Sequence, residues 1–552
     1  MKIKEEYLVA IIIISVIFLS LIPNLYSFLN RQRLSPQRQW VYIHNYLYDS
    51  NSYLSKMKEG ELGRWTVIEK YTSESHQGSL YQILYLWLGK IGGVFGFSVS
   101  LTHFLARIFL GFGWLIVIYL FLSYFLKEKL SRLSCFLMIL LSAGYPRQLF
   151  RGLTTWYDWW SEFNIFMRAT FLPHFLVGHL TIAGCFLLFA FSIQEKKTSK
   201  SLIYIFTAGL LALAAGIVLP PSLLTIYGGL AVFCLGALWL GDRQMILKVF
   251  KKSSVVFLLS VGSVFYFLKL FSQYPWKEIA DWERTHLYLV DFKFYAFSQG
   301  TVFFFALAGT ALLLLRFFLK KEKNLFFLLP TGWFVTHLFG LWFLNKTGLY
   351  LSLRFWQVAS FVPAGILAVY FINHLARFFK SKLLRAFLLM VVFLTCLPGI
   401  FLNLKYIIDR ENRLLTYNAE LVPYPDVEHY PLKTLMKAIN WLEQNTRPEE
   451  IVLSYFTAGN FIPAHAGNTV YIGNLSQTVK INQKYQQINN FFSGKFSLVE
   501  AESFLQQNKI SYVFWGPQEK YWGKDLNQYS FLKKVYENED VTIFAVKNEA
   551  KE

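Results

Sequence analysis

Long apolar runs follow one another from Tyr7 to Leu404 and stop after Tyr406. They predict eleven spans, at 7–29, 99–126, 133–148, 172–194, 201–218, 221–241, 253–272, 299–319, 325–344, 355–376 and 385–404. As helices rising about 1.5 Å per residue, most would cross ~30 Å of hydrocarbon. Two connections are long, 30–98 and 147–171, and both mix aromatic with charged residues, as helices lying on a membrane surface do. Residues 405–429 read as a linker, and from 430 the pattern changes. Leu432, Leu435, Met436, Ile439 and Leu442 recur at helical spacing until Arg447-Pro448 ends the run. Ile451 to Phe456 reads as a strand, 497–510 as a helix and Ser511 to Trp515 as a strand. Leu532–Tyr536 and Val541–Val546 flank a turn as a hairpin. The predicted architecture is a polytopic α-helical membrane domain, 1–404, with a small α/β domain, 430–552, behind it.

Composition agrees: 55% of the residues are apolar and 16% charged, where a soluble protein would have about a quarter charged. A soluble enzyme, a disordered chain and a single-pass receptor are excluded. The net charge of +20 divides unevenly, with +21 in the first 404 residues and −1 beyond them. Five short loops, 127–132, 194–200, 241–252, 316–323 and 376–385, hold 18 Lys and Arg between them. Such loops mark the cytoplasmic side, so the excess charge sets topology and no nucleic-acid partner is implied. With eleven spans the N-terminus is cytoplasmic, the α/β domain is extracytoplasmic, and the chain is a multi-pass plasma-membrane protein. Lys2 and Lys4 before an apolar stretch without a small-x-small site predict an uncleaved first helix. Cys135, Cys185, Cys234 and Cys396 all fall in apolar runs and read as packing residues.

Several polar residues stand where chemistry is possible. Asp49, in Tyr48-Asp49-Ser50-Asn51, lies just beyond the first span and suits either a general base or a helix N-cap. Glu69 and Glu74 offer a second carboxylate, or are simply solvated. Asp158 and Glu162 are four apart on one helix face, able to bind a cation or an acceptor hydroxyl, or to accompany an aromatic surface helix. Arg168 and His174 follow, with Pro173 between them. His103, Arg107, His337 and Arg354 sit in or beside apolar spans, where ionisable groups face a protein interior or a polar cavity. Arg354 opens a span, a place from which a guanidinium can fork to a lipid phosphate or snorkel to headgroups. The glycine-rich 89–96 lacks the ending of a phosphate loop and reads as close helix packing.

Together these features resemble the GT-C superfamily of membrane glycosyltransferases, in its poorly characterised bacterial branch. The first outer loop has an acidic residue at its start (Tyr48-Asp49, then Tyr53, Gly60 and Gly63-Arg64-Trp65) and ends in surface-helix material from Leu80 to Gly89. Arg107 lies in the following span. The second loop closes in Arg168 to His174, a late span begins Arg354-Phe355 and contains Pro363, and an outer α/β tail follows. Asn51 stands where a second acidic residue would make Asp-x-Asp, and the Trp-Trp-Asp-Tyr-Gly signature of the oligosaccharyltransferases is absent, which argues against that subfamily. The resemblance implies inverting hexosyl or pentosyl transfer from a polyprenyl-phosphate-linked sugar to a glycan, lipid or protein acceptor. Asp49 would be the base, and Arg354, with Arg168 or Arg107, would neutralise the leaving phosphate. Asp158, Glu162 and His174 complete the expected substrate site. No cofactor follows from the residues, and a divalent cation (Mg or Mn) stays open. A transporter or flippase, or a polymerase or ligase of lipid-linked saccharides, is the alternative; the former should show related halves, and the sequence has none.

Overall fold

A computed structural model describes residues 4–43, 47–145, 164–285, 291–319, 321–346, 352–416 and 429–547. Among them nine helices are long and apolar enough to cross a membrane, and a tenth span forms if the bent pair Glu5–Ser20 and Ile22–Leu29 counts as one. The chain is a multi-pass membrane protein. The 51° bend of that pair has a local cause: Pro23, in the first turn of the second segment, has no N–H to give and its ring crowds the turn before it.

The other apolar runs keep their places but not always their limits. The basic stretch before 253 is not a loop; it forms the first turns of Arg243–Leu270. Lys382–Thr416 likewise runs on past 404 into the stretch expected as a linker. The run at 133–148 appears as Lys129–Leu141, 13 residues or about 20 Å of helix, followed by non-helical backbone at 142–145. Arg354 does not open a helix. It lies in the 3-10 turn Ser352–Gln357, and the helix begins at Phe361.

The described chain divides into two compact units. A helical unit combines Met1–Pro23, Arg107–Phe267 and His286–Asp409; a sheet unit combines Asn24–Ala106, Leu268–Thr285 and Arg410–Glu552. In the helical unit small residues let backbones approach. A Cβ on Gly332 would stand 2.7 Å from the Gly229 Cα, and one on Gly309 would stand 2.1 Å from the Leu367 carbonyl oxygen. Helix association in lipid depends on such close crossings, because apolar side chains gain little by leaving an apolar solvent.

The sheet unit is built on five strands: β1 (Ile451–Leu453), β2 (Thr469–Val470), β3 (Ile510–Trp515), β4 (Leu532–Glu537) and β5 (Thr542–Val546). Their order is β2-β1-β3-β5-β4, parallel from β2 to β3, with β5 antiparallel to both β3 and β4. The described part of the long connection 30–98 joins this unit. Gln39 N–H donates to the Pro431 carbonyl at 3.0 Å, and Lys433 N–H to that of Gln37 at 2.8 Å. The carboxyl ends of β1 and β3 are sealed from within. Glu519 accepts from Tyr455 N–H at 2.6 Å and Gly516 N–H at 3.0 Å, while Gln518 accepts from Thr457 N–H at 2.9 Å. These side chains satisfy amides at the start of the helix Phe456–His465 that no helical carbonyl can reach.

Candidate functional site

In the helical unit, basic and aromatic side chains gather around the start of Pro173–Gln194. Arg107 donates from Nε to the Thr170 carbonyl at 2.5 Å. Arg168 is 3% exposed and reaches the end of Lys129–Leu141. Its Nη1 donates to the carbonyls of Ile139 at 2.7 Å and Leu140 at 3.0 Å, and its Nη2 to that of Ser142 at 2.8 Å. The last carbonyls of a helix have no partner of their own and carry the negative end of its dipole, so this guanidinium caps a helix. Its face lies 4.5 Å from the centre of the Phe361 ring.

His174, in the first turn after Pro173, packs its ring 4.0 Å from that of Phe175. Arg354 is close enough for its charge to act on it. His179 Nε2 meets the Gln357 carbonyl at 3.1 Å, which ties the helix to the turn that carries Arg354. Trp114 flanks His179 at 5.2 Å between ring centres. Four expected residues, Arg107, Arg168, His174 and Arg354, therefore fall in one unit, and the segment 168–179 connects them. His179 was missed in the sequence, although a second histidine inside an apolar span was the available signal.

Asp49 belongs to the sheet unit. The helix Leu47–Glu61 starts two residues before it, so Asp49 is no N-cap; it is an exposed first-turn acid, where the helix dipole favours a negative charge. Neighbouring Tyr48 is pushed up to about 12 by burial. Further along, the same helix is unusually polar for a buried element. Lys56 Nζ lies 3.1 Å from Glu69 Oε2, with side chains 0% and 1% exposed. Lys56 also donates to Gln477 Oε1 at 3.0 Å, and Asn51 to Asn460 Oδ1 at 2.7 Å. Glu59 accepts from Ile68 N–H at 2.9 Å, and burial raises its carboxyl above the ordinary range. Lys484 donates to Glu74 at 2.8 Å. Burial would raise Glu74, but Lys484 and Thr72 outweigh it and hold the carboxyl below its usual value. Glu69 is therefore not the solvated charge of the sequence reading, whereas Glu74 is paired and still 40% exposed.

Asp158 and Glu162 lie outside the described residues. Among those described, no group of three or more His, Cys, Asp or Glu side chains could hold a metal ion, and no step below is routed through one. The four cysteines are free thiols, three of them buried.

No family model and no curated protein matches the sequence. Solved structures do. The archaeal oligosaccharyltransferase AglB from Archaeoglobus fulgidus, in complex with an inhibitory peptide and a dolichol-phosphate, is similar with a TM-score of 0.56 at 12% identity, over 92% of this chain and 69% of that one. Its apo form gives 0.55 at 13% identity, over 99% and 75%. ArnT from Cupriavidus metallidurans, bound to undecaprenyl phosphate, gives 0.51 at 12% identity, over 98% of this chain and 97% of that one. At such identities the likeness is one of fold, and it extends over nearly the whole chain: a polytopic helical domain with a small sheet domain behind it, the GT-C-like fold.

Proposed function

We propose that the protein is a glycosyltransferase that moves a sugar from a polyprenyl-phosphate-linked donor to an acceptor at the outer face of the membrane. The observation that supports this reading is that the turn carrying Arg354 is tied to His179 through the Gln357 carbonyl, with the Arg354 charge felt at His174, within a fold shared with transferases that were captured with polyprenyl phosphates. Arg354 would bind the donor phosphate through two oxygens, a geometry lysine cannot copy. The acceptor oxygen would attack the anomeric carbon as the bond from that carbon to the phosphate oxygen breaks. The phosphate leaves with the electron pair, its charge met by Arg354. Asp49 would take the proton from the acceptor hydroxyl, and a single attack from the face opposite the departing phosphate would invert the anomeric carbon. Arg168, committed to helix carbonyls, would act by holding its segment, and Asp158 and Glu162 would bind acceptor hydroxyls.

Purified protein in sealed proteoliposomes, supplied with an undecaprenyl-phosphate-linked labelled sugar and an extracted lipid or glycan acceptor pool, tests this directly. Transfer of label is expected, and movement of intact donor without bond cleavage would overturn the reading. Asp49→Asn should fold normally and lose about 10²–10⁴-fold in turnover. The sheet unit is proposed to face outward. A cysteine introduced at Val499, which is 76% exposed, should react with an impermeant reagent in intact spheroplasts; reaction only after lysis would reverse the orientation.

A further inference from the structure

The turn that carries Arg354 leads into backbone that does not hold its shape by itself. Ala359 has φ of +50°, in the left-handed region that a residue with a Cβ disfavours. Val358, Ala359 and Ser360 are fully buried. Such a conformation persists only where its surroundings over-determine it, and here they do. Trp333 Nε1 donates to the Val358 carbonyl at 2.8 Å, and His179 Nε2 meets that of Gln357 at 3.1 Å. Ser360 Oγ lies 3.0 Å from Tyr295 Oη and accepts from Gln299 Nε2 at 3.0 Å.

Behind Ser360 the hydrogen bonds run in one direction. His337 Nδ1 faces the Phe334 carbonyl at 3.2 Å, so Nδ1 carries the proton and Nε2 is an acceptor. Tyr295 must then donate its hydroxyl proton to His337 Nε2, with which it is in contact. Its oxygen is left to receive protons from Gln299 and Ser360. The four side chains are 0–6% exposed and come from the helix Phe292–Gln299, the helix Leu328–Lys346 and the residue before Phe361–Phe378. Polar groups at such depth are costly, and leucines in their place would avoid that cost. A directional network gives what leucines cannot: a single position for the chain between Gln357 and Ser360.

We propose that Tyr295, His337, Gln299 and Ser360 are positioning residues, a latch that fixes the strained turn and thereby the place of Arg354 at the donor phosphate. This rests on the reading of Arg354 given above. The latch touches no substrate. It should set donor affinity and leave acceptor use unchanged, whereas a general loss of packing would weaken both.

The test titrates the full-length protein in detergent with undecaprenyl phosphate, comparing Tyr295→Phe, Ser360→Ala, Arg354→Ala and each latch variant combined with Arg354→Ala. Ser360→Ala removes one hydroxyl and keeps the measurement available if Tyr295→Phe does not fold. Each latch variant should weaken binding roughly three- to thirtyfold in the parent and have no further effect once Arg354 is alanine. In turnover assays the donor KM should rise with the acceptor KM unchanged. If Arg354→Ala loses binding but the latch variants bind like the parent, the latch is overturned and the phosphate reading stands. Equal weakening with and without Arg354 would mark mere loosening and overturn the latch as well. If Arg354→Ala itself binds normally, the phosphate reading fails and the latch fails with it.

Discussion

The two units bury charge by opposite means. In the helical unit the buried cation Arg168 is neutralised by main-chain carbonyls and a hydroxyl. The ion pairs described there reach the solvent side: Glu5 with Arg132 at 2.5 Å, and Glu128 with Arg385 at 2.8 Å, where Glu128 is 58% exposed. In the sheet unit the Lys56–Glu69 pair is fully enclosed, and Lys58 bridges Glu61 and Glu443. The difference follows from what each solvent forgives. Backbone carbonyls at a helix end need a donor in any case, so a guanidinium there resolves two problems at once. An enclosed ion pair repays its desolvation only when further hydrogen bonds complete it, and Gln477 and Ser52 do so around Lys56. The lesson is that a buried charge need not imply a catalytic one.

The sharpest way to break this comparison is to unpair the enclosed charge. Glu69→Ala should destabilise the sheet unit by about 3–5 kcal/mol, because Lys56 is left buried and uncompensated. Replacing both partners, Lys56→Met with Glu69→Leu, should recover most of that loss. Denaturant unfolding followed by amide exchange in the sheet unit measures both, and equal loss in the single and double variants would show that packing, not charge, is at stake.

A second effect is one of pH. Burial pushes the Glu519 carboxyl up from 4.5 to about 7, outweighing the amides of Tyr455 and Gly516 that favour its charged form. The folded state then holds a proton that the unfolded chain releases, so stability is fully present below about pH 4.5 and falls as pH rises to about 7. A rise of that size is worth about 3 kcal/mol. Exchange protection of β1 and β3 amides should decline over this window in the parent, and Glu519→Gln should flatten the decline.

The smallest effect belongs to the helical unit. Arg168→Met should cost about 1.5–3 kcal/mol, the scale of hydrogen bonds to a charged group, and less than Glu69→Ala. The carbonyls it leaves behind are neutral and lie at a helix end. Thermal unfolding of the intact protein checks the order of the two, and a greater loss from Arg168→Met would reverse the comparison.

Much of this architecture was legible because membrane spans are long and repeat one simple pattern. What escaped had local causes. The turn at Arg354 interrupts an apolar run without changing its composition, so only the backbone at Ala359 reveals it. The strand expected from Ile451 to Phe456 stops at Leu453, the helix Phe456–His465, which contains Gly459 and Pro463, was not predicted, and β2 is two residues long. In the sheet unit the hairpin, the helix Leu498–Gln507 with its Ser497–Glu500 capping box, and β3 were all predictable, since each carries its own signal. The candidate site was legible in its residue types and not in its partners. Lys56 is on the helix Leu47–Glu61 and Glu69 lies thirteen positions on, beyond its end, and no spacing rule joins them. Arg168 could be noticed in the sequence, but its carbonyl acceptors could not.

The seal at the carboxyl ends of β1 and β3 has a consequence for what the sheet can hold. In open α/β sheets the crevice at those strand ends, beside a helix N-terminus, is where nucleotides commonly dock. Here the Glu519 and Gln518 side chains already accept from the Tyr455 and Thr457 amides that a phosphate would need. At that crevice the sheet domain is thus closed to a nucleotide's phosphates, and its carboxyl strand ends serve the packing of the domain itself.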